Sequence, residues 1–211
     1  MEIQLGLFEA IHDLLFLRPI FFAGLIFVGV SLCWFLRKDN TVSKIKTIVG
    51  SILMYYFLGI LFGNVVGIPT LNEFFRITGF GESIFNPNVN LIPIVGEIDL
   101  EFMLNILVFI PLGFLCPIIS RSYERVKKIA LLGVGLSLAI EISQLFTLHR
   151  ATDINDVIAN TLGAVVGFLC FRLCVVIFRA KGKHSDSPKV DTMRFLPALI
   201  VVKAFIFTFI S

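Results

Sequence analysis

The chain has 211 residues, of which 57% are hydrophobic and 16% are charged, and its formal net charge is +3. A mean hydropathy of +0.93 excludes an ordinary soluble domain, because a core of normal size cannot hide so much apolar surface from water. The composition therefore predicts an all-α, polytopic integral membrane protein that forms one membrane domain over residues 1–211.

The first segment lacks the basic region that opens a cleaved signal peptide, and it carries acids instead. Its polar residues recur at Glu2, Glu9, His12 and Asp13, with apolar residues between them. This spacing predicts an amphipathic helix over residues 1–18 that lies along the membrane interface.

Six apolar segments follow, each long enough or nearly long enough to cross a membrane. A crossing helix must span about 30 Å of hydrocarbon. We therefore expect a bundle of six transmembrane helices, with the first and last near the lower limit of length. The predicted spans are Pro19–Leu36, Thr47–Ile68, Phe102–Ile119, Ile129–Leu148, Val157–Phe178 and Phe195–Ile210.

Lysine and arginine alternate along the connections between these spans. The first, third and fifth loops are rich in them, at residues 37–46, 121–128 and 179–194, whereas the second and fourth loops carry more acids. The positive-inside rule then places the basic loops in the cytoplasm and both termini outside the cell. All the cysteines lie toward the predicted cytoplasmic ends, so we expect no disulfides: Cys33, Cys116, Cys170 and Cys174.

Proline and glycine mark two further features. The second loop, residues 69–100, is too long for a simple connector and is expected to fold back onto the outer membrane face. Pro111 and Pro117 are expected to bend or break the third span. Gly163 and Gly167 form a GxxxG pattern, which favours close backbone packing between membrane helices.

The stretch LAIEISQLFTLHRATDINDVIAN, residues 138–160, places Glu141 in an apolar run, where a carboxylate costs roughly 3 kcal/mol. The predicted topology brings several polar residues to a similar outer depth on spans three, four and five. Their side chains can form an outward-facing pocket, and Asp153 or Thr152 can cap the fifth span. The candidate site residues are Asn105, Glu141, Gln144, Arg150, Asp153, Asp156 and Asn160.

A structural interpretation of the same residues stays open. Asn, Gln and an acid can tie helices together by hydrogen bonds. Arg150 can also pair with Asp153 or Asp156 simply to order the loop. His149, His12 and His184 have no metal-ligand spacing, so no resident metal or cofactor is expected.

Three motifs resemble the VanZ-like family of bacterial membrane proteins, over a core of residues 90–172. They are NLIPI at 90–94, LNILVFIPLGFL at 104–115, and IEISQLF with the later R and DINDVIANTLGAVVG at 140–167. The resemblance implies a cell-envelope protein linked to low-level teicoplanin resistance. The matching positions are Asn105, Pro111, Gly113, Glu141, Gln144, Arg150, Asp153, Asp156, Asn160 and Gly163.

Our first functional hypothesis is a non-enzymatic protein of the bacterial cell membrane. Its outer pocket would bind an amphipathic ligand, either a lipid-linked cell-wall precursor or a lipoglycopeptide. Arg150 would contact a phosphate or carboxylate of that ligand. Membrane lipids are the other expected partners, and no nucleic acid is expected.

Two alternatives remain open. One is an enzyme acting on a phosphorylated lipid at the outer leaflet, in which Glu141, Asp153 and Asp156 hold Mg²⁺ or Mn²⁺. The other is a proton-coupled transporter, which ranks lower because no inverted repeat is visible.

Overall fold

A computed structural model describes residues 6, 9, 12, 13, 15, 17, 19–38, 44–81, 83, 85, 87–93, 99–147, 151–178 and 193–211. Within these residues the chain forms seven α-helices, which we number in chain order. They are α1 (Pro19–Lys38), α2 (Lys44–Ile60), α3 (Leu71–Gly79), α4 (Leu100–Ile119), α5 (Val126–Gln144), α6 (Ile154–Phe178) and α7 (Leu196–Ile210).

Short elements complete the architecture. A π-helical turn, Leu61–Val65, extends α2, and a 3-10 turn, Arg121–Tyr123, joins α4 to α5. Two strands of two residues each, β1 (Val89–Asn90) and β2 (Thr152–Asp153), pair in parallel. This pairing attaches the second loop to the start of α6, so part of that loop is held against the end of the helix bundle.

Four helices are long and apolar enough to cross a membrane: Pro19–Arg37, Lys44–Val65, Leu100–Ile119 and Ile154–Phe178. They correspond to predicted spans one, two, three and five. Helix α5 has a suitable length of 19 residues but carries Lys127, Lys128 and Glu141, and α7 has only 15 residues. The all-helical class is thus confirmed, whereas the count of six spans stays a prediction.

Several other expectations have mixed outcomes. Helix α4 is continuous through Pro111 and Pro117, so the prolines do not break it. A membrane helix tolerates proline where neighbouring groups satisfy the freed carbonyls.

All the cysteines are free. Most of residues 1–18 and residues 179–192 lie outside the described part, so the amphipathic helix, the cytoplasmic loop and the one-domain division stay predictions.

Helices α1, α2 and α7 form one half of the bundle. The Tyr55 hydroxyl on α2 donates a 2.8 Å hydrogen bond to the carbonyl of Phe21 on α1, and the two rings stack with centroids 4.2 Å apart. The Lys203 ammonium on α7 donates to the carbonyl of Phe27 at 2.7 Å and to the hydroxyl of Ser31. A charge on an apolar helix is thus hydrogen-bonded to neighbouring backbone and hydroxyl oxygens.

Helices α4 and α6 form the closest contact in the other half. A Cβ atom on Gly163 would overlap the carbonyl oxygen of Ile106, and one on Gly167 would overlap that of Ile110. From the opposite side, a Cβ atom on Gly113 would overlap the carbonyl oxygen of Ala164. The predicted GxxxG packing is confirmed. Because contacts advance in the same direction along both helices, α4 and α6 run parallel.

This contact predicts different effects for two Gly→Ala substitutions. Gly163→Ala should lower the free energy of unfolding by about 1–3 kcal/mol, because the new methyl group forces two backbones apart. Gly29→Ala on α1 should be neutral or raise it by up to about 1 kcal/mol, since nothing lies within 4 Å of its Cβ position and alanine favours a helix. Thermal unfolding of the purified protein in detergent measures both, and equal effects would contradict the packing.

Candidate functional site

A cavity of about 310 Å³ lies between the start of α4, the end of α5, the start of α6 and the π-helical turn. Its apolar lining residues are Leu61, Val65, Val66, Leu104, Val108, Phe109 and Ile140. Its polar lining residues all lie on α4, α5 and α6, and they are Glu101, Asn105, Glu141, Gln144, Asp156 and Asn160. The π-helical turn contributes apolar residues alone, so the lining of the cavity is amphipathic.

Glu141 is 2% exposed and has specific partners in the chain. Its carboxylate accepts a 2.9 Å hydrogen bond from the backbone N–H of Asp153, and its own carbonyl accepts one of 3.0 Å from the Thr152 hydroxyl. The Asp153 N–H lies at the start of α6, where the helix dipole favours negative charge. These interactions offset part of the cost of burying the carboxylate, and they join the end of α5 to the start of α6.

Asp153 has a structural role in the described site. Its Oδ1 atom accepts the backbone N–H of Asn155 at 2.8 Å, which caps α6 as the sequence predicts. Its Oδ2 atom accepts from the Asn90 amide on β1 at 2.9 Å. Asp153 does not line the cavity, but it fixes the helix end against which Glu141 is placed.

Amide side chains connect the three helices around the cavity. The Asn105 amide on α4 donates a 2.7 Å hydrogen bond to Asp156 on α6. The Asn160 amide on α6 donates a 2.8 Å hydrogen bond to the Ser137 hydroxyl on α5. The amide N–H groups of both asparagines therefore have a structural role, because each of them ties α6 to a neighbouring helix.

Two amide oxygens in the cavity wall have no such role. Gln144 and Asn160 are 5% and 4% exposed, and both side chains line the cavity. Among the described residues, no hydrogen-bond donor meets the Oε1 atom of Gln144 or the Oδ1 atom of Asn160. A buried oxygen without a partner costs about 1–3 kcal/mol. A ligand with N–H or O–H groups would supply the missing donors.

The structure brings five of the seven candidate residues around this cavity: Asn105, Glu141, Gln144, Asp156 and Asn160. Asp153 lies outside its lining, and Arg150 lies outside the described residues. Sequence reasoning missed Glu101 and the π-helical turn. The interruption of the second apolar segment by Gly63 and Asn64 is the sequence signal near that turn. π-helical turns occur frequently at functional sites.

The carboxylates that the enzyme hypothesis assigns to Mg²⁺ or Mn²⁺ have hydrogen-bond partners of their own in the described site. Within the described ranges, no group of three or more His, Cys, Asp or Glu side chains is placed to hold a metal ion. Glu141 and Asp153 contact each other through a carboxylate and a backbone N–H, and Asp156 accepts from an amide. The polar lining residues of the cavity offer carboxylate and amide oxygens, which accept hydrogen bonds from donor groups.

Comparisons with known proteins relate the chain to a single family. The family model described as VanZ/LLP1 matches residues 3–175. Protein VanZ from Enterococcus faecium is 32% identical over 124 residues, which cover 57% of this chain and 72% of that protein. No solved structure matches the chain significantly.

The capping role of Asp153 predicts an ordered series of stabilities. Asp153→Ala should lower the free energy of unfolding by about 1 kcal/mol or more, because it removes the cap. Asp153→Asn should lower it less, since asparagine keeps an oxygen for the Asn155 N–H and loses only the exposed bond to Asn90. Thermal unfolding in detergent gives the order, and equal losses would show that the cap contributes nothing.

Proposed function

This chain belongs to the VanZ/LLP1 family, and on that premise we propose that it is a multi-pass protein of the bacterial cell membrane that binds an amphipathic ligand. The proposed ligand is a lipid-linked cell-wall precursor or a lipoglycopeptide, and its binding underlies teicoplanin resistance. The observation that carries the proposal is the amphipathic cavity with the two unpartnered amide oxygens of Gln144 and Asn160.

The polar and the apolar lining residues of the cavity suit two parts of such a ligand. The peptide and sugar groups of both ligand classes supply the N–H and O–H donors that amide and carboxylate oxygens need. Acyl or prenyl groups match the apolar residues that the π-helical turn contributes to the lining. Glu101, Glu141 and Asp156 disfavour a bare phosphate inside the cavity, so the proposed phosphate or carboxylate contact falls to Arg150.

The parallel packing of α4 and α6 supports six crossings. Both helices are long and apolar enough to span a membrane, and they run in the same direction. The chain between them must therefore return across the membrane, and α5 is the helix available for this. Helix α7 packs antiparallel to α1, because Phe207 contacts the Gly24 end of α1 while Lys203 reaches Ser31. This direction completes an alternating arrangement in which α7 is the sixth span.

The described charges support an outward-facing cavity. Arg37, Lys44 and Lys46 lie at one end of α1 and α2, and the same end of α4 and α5 carries Arg121, Arg125, Lys127 and Lys128. The cavity lies at the opposite end of the bundle. With the basic end in the cytoplasm, the cavity opens outside. Its position at one end rather than midway along the helices favours binding over transport.

Labelling of introduced cysteines tests this orientation. In a variant whose native cysteines are replaced by alanine, Ser83→Cys should react with an impermeant maleimide in intact cells. Glu124→Cys, in the basic loop after α4, should react only after the membrane is permeabilised. Both positions are described, and Glu124 is exposed. The reverse pattern would place the cavity on the cytoplasmic side and contradict an envelope role.

Charge removal tests the site. Glu141→Gln should lower teicoplanin affinity by about tenfold or more, because a bond to a charged group contributes about 1.5–3 kcal/mol. Glutamine keeps an acceptor for the Asp153 N–H, so membrane abundance should hold. Arg150→Lys should also weaken binding, since an ammonium lacks the planar fork of a guanidinium. Binding of labelled teicoplanin to protein in nanodiscs measures affinity, and susceptibility of expressing cells measures resistance.

Asp153→Asn is the matched control, because it removes a neighbouring carboxylate that does not line the cavity. It should retain binding and resistance. Wild-type affinity in Glu141→Gln at equal abundance would remove Glu141 from the site. Wild-type protein that binds no teicoplanin, and expressing cells as susceptible as cells with an empty vector, would contradict the resistance function.

A further inference from the structure

A second, larger cavity lies on the outside of the bundle, between α5 and α7. It is a groove of about 570 Å³ with almost entirely apolar walls. Leu131 on α5 is 73% exposed and Val202 on α7 is 55% exposed, so the groove opens away from the protein core. None of the described residues that line the smaller cavity lines this groove.

The groove follows one face of each helix. Its lining on α5 advances from Lys128 to Ala139, and its lining on the other side advances from Arg194, just before α7, to Ile206 on α7. The α5 face extends about 17 Å at 1.5 Å per residue. One leaflet of a bilayer has about 15 Å of hydrocarbon. The groove is therefore about as long as one leaflet is deep.

Small residues make room along this face. Gly135, Ala139 and Ala198 line the groove, and no atom lies within 4 Å of the position that a Cβ atom on Gly135 would take. The groove therefore has free space at Gly135, beside the small side chains of Ala139 and Ala198. Its apolar lining can pack against a flexible hydrocarbon chain.

Charge is confined to one end of the groove. Lys128 lies in the first turn of α5 and Arg194 lies two residues before α7, and both side chains are exposed. The Arg194 guanidinium lies 4.3 Å from the centroid of the Phe195 ring, at the rim. No acidic residue is among the described residues that line the groove. A ligand here meets hydrocarbon along its length and positive charge at its end.

We propose that this groove binds an anionic phospholipid, with an acyl chain along α5 and α7 and the phosphate group at Lys128 and Arg194. The cations lie at the basic end of the bundle, so the lipid belongs to the leaflet at that end. Lys and Arg at such a position attract anionic headgroups, each by about fivefold in affinity. A zwitterionic lipid would fill the groove but gain less from the two cations.

Native mass spectrometry of the purified protein tests the proposal. The protein is released from nanodiscs that contain equal amounts of phosphatidylglycerol and phosphatidylcholine with identical acyl chains. Wild type should retain phosphatidylglycerol preferentially. Lys128→Gln with Arg194→Gln should reduce that preference by about tenfold or more. The matched double variant Arg125→Gln with Lys127→Gln removes two exposed cations outside the groove and should keep it.

A substitution that fills the groove provides an independent test. Gly135→Phe places a ring in free space, so it should fold and should retain less of both lipids, whereas Gly135→Ala should behave like wild type. An unchanged lipid preference in the Lys128/Arg194 variant would overturn the proposal. A wild-type dimer that Gly135→Phe converts to a monomer would also overturn it, because a second copy of the chain would then occupy the groove.

Discussion

The backbone contact between α4 and α6 determines most of what is built around it. Membrane helices gain little from the hydrophobic effect between them, because lipid tails are as apolar as the side chains. Close packing and interhelical hydrogen bonds must hold them together instead. Gly113, Gly163 and Gly167 let carbonyl oxygens of one helix occupy space beside the other that any side chain would fill.

The polar side chains depend on this contact. Asn105 reaches Asp156 at 2.7 Å because the two helix axes are so close near their first turns. Helix α5 then returns along α6, where Asn160 binds Ser137 and the Glu141 carboxylate meets the Asp153 N–H. The same residues therefore stabilise the bundle and form a cavity wall. A functional and a structural interpretation of these residues can therefore both hold. The amide oxygens of Gln144 and Asn160 have no hydrogen-bond partner in the described part of the chain, so a stabilising role does not explain their placement in the cavity.

The two cavities differ in the chemistry that they offer. The smaller one has carboxylates and amide oxygens, so it suits groups that donate hydrogen bonds. The larger one is apolar with cations at one end, so it suits an acyl chain joined to an anionic group. They lie toward opposite ends of the bundle, and α5 contributes to both. Helix α5 thus lines both cavities, each through different residues.

The sequence alone determined the helical class, the approximate limits of four helices long and apolar enough to cross a membrane, and the close packing at Gly163 and Gly167. These features follow from local composition and spacing. The hydrocarbon thickness of a membrane sets how long an apolar helix must be, and the absence of a side chain on glycine lets two backbones approach closely. The capping of α6 by Asp153 was also predictable, because a cap bonds only to residues nearby in the chain.

Only the tertiary structure decided which polar residues share a cavity. It separated Asp153 from Asn105, Glu141, Gln144, Asp156 and Asn160, and it added Glu101 and the π-helical turn. It also showed that α6 packs closely against α4 as well as against its sequence neighbour α5. Sequence spacing gives the face and depth of a residue on its own helix. The partner across an interface depends on how helices distant in the chain are rotated and packed.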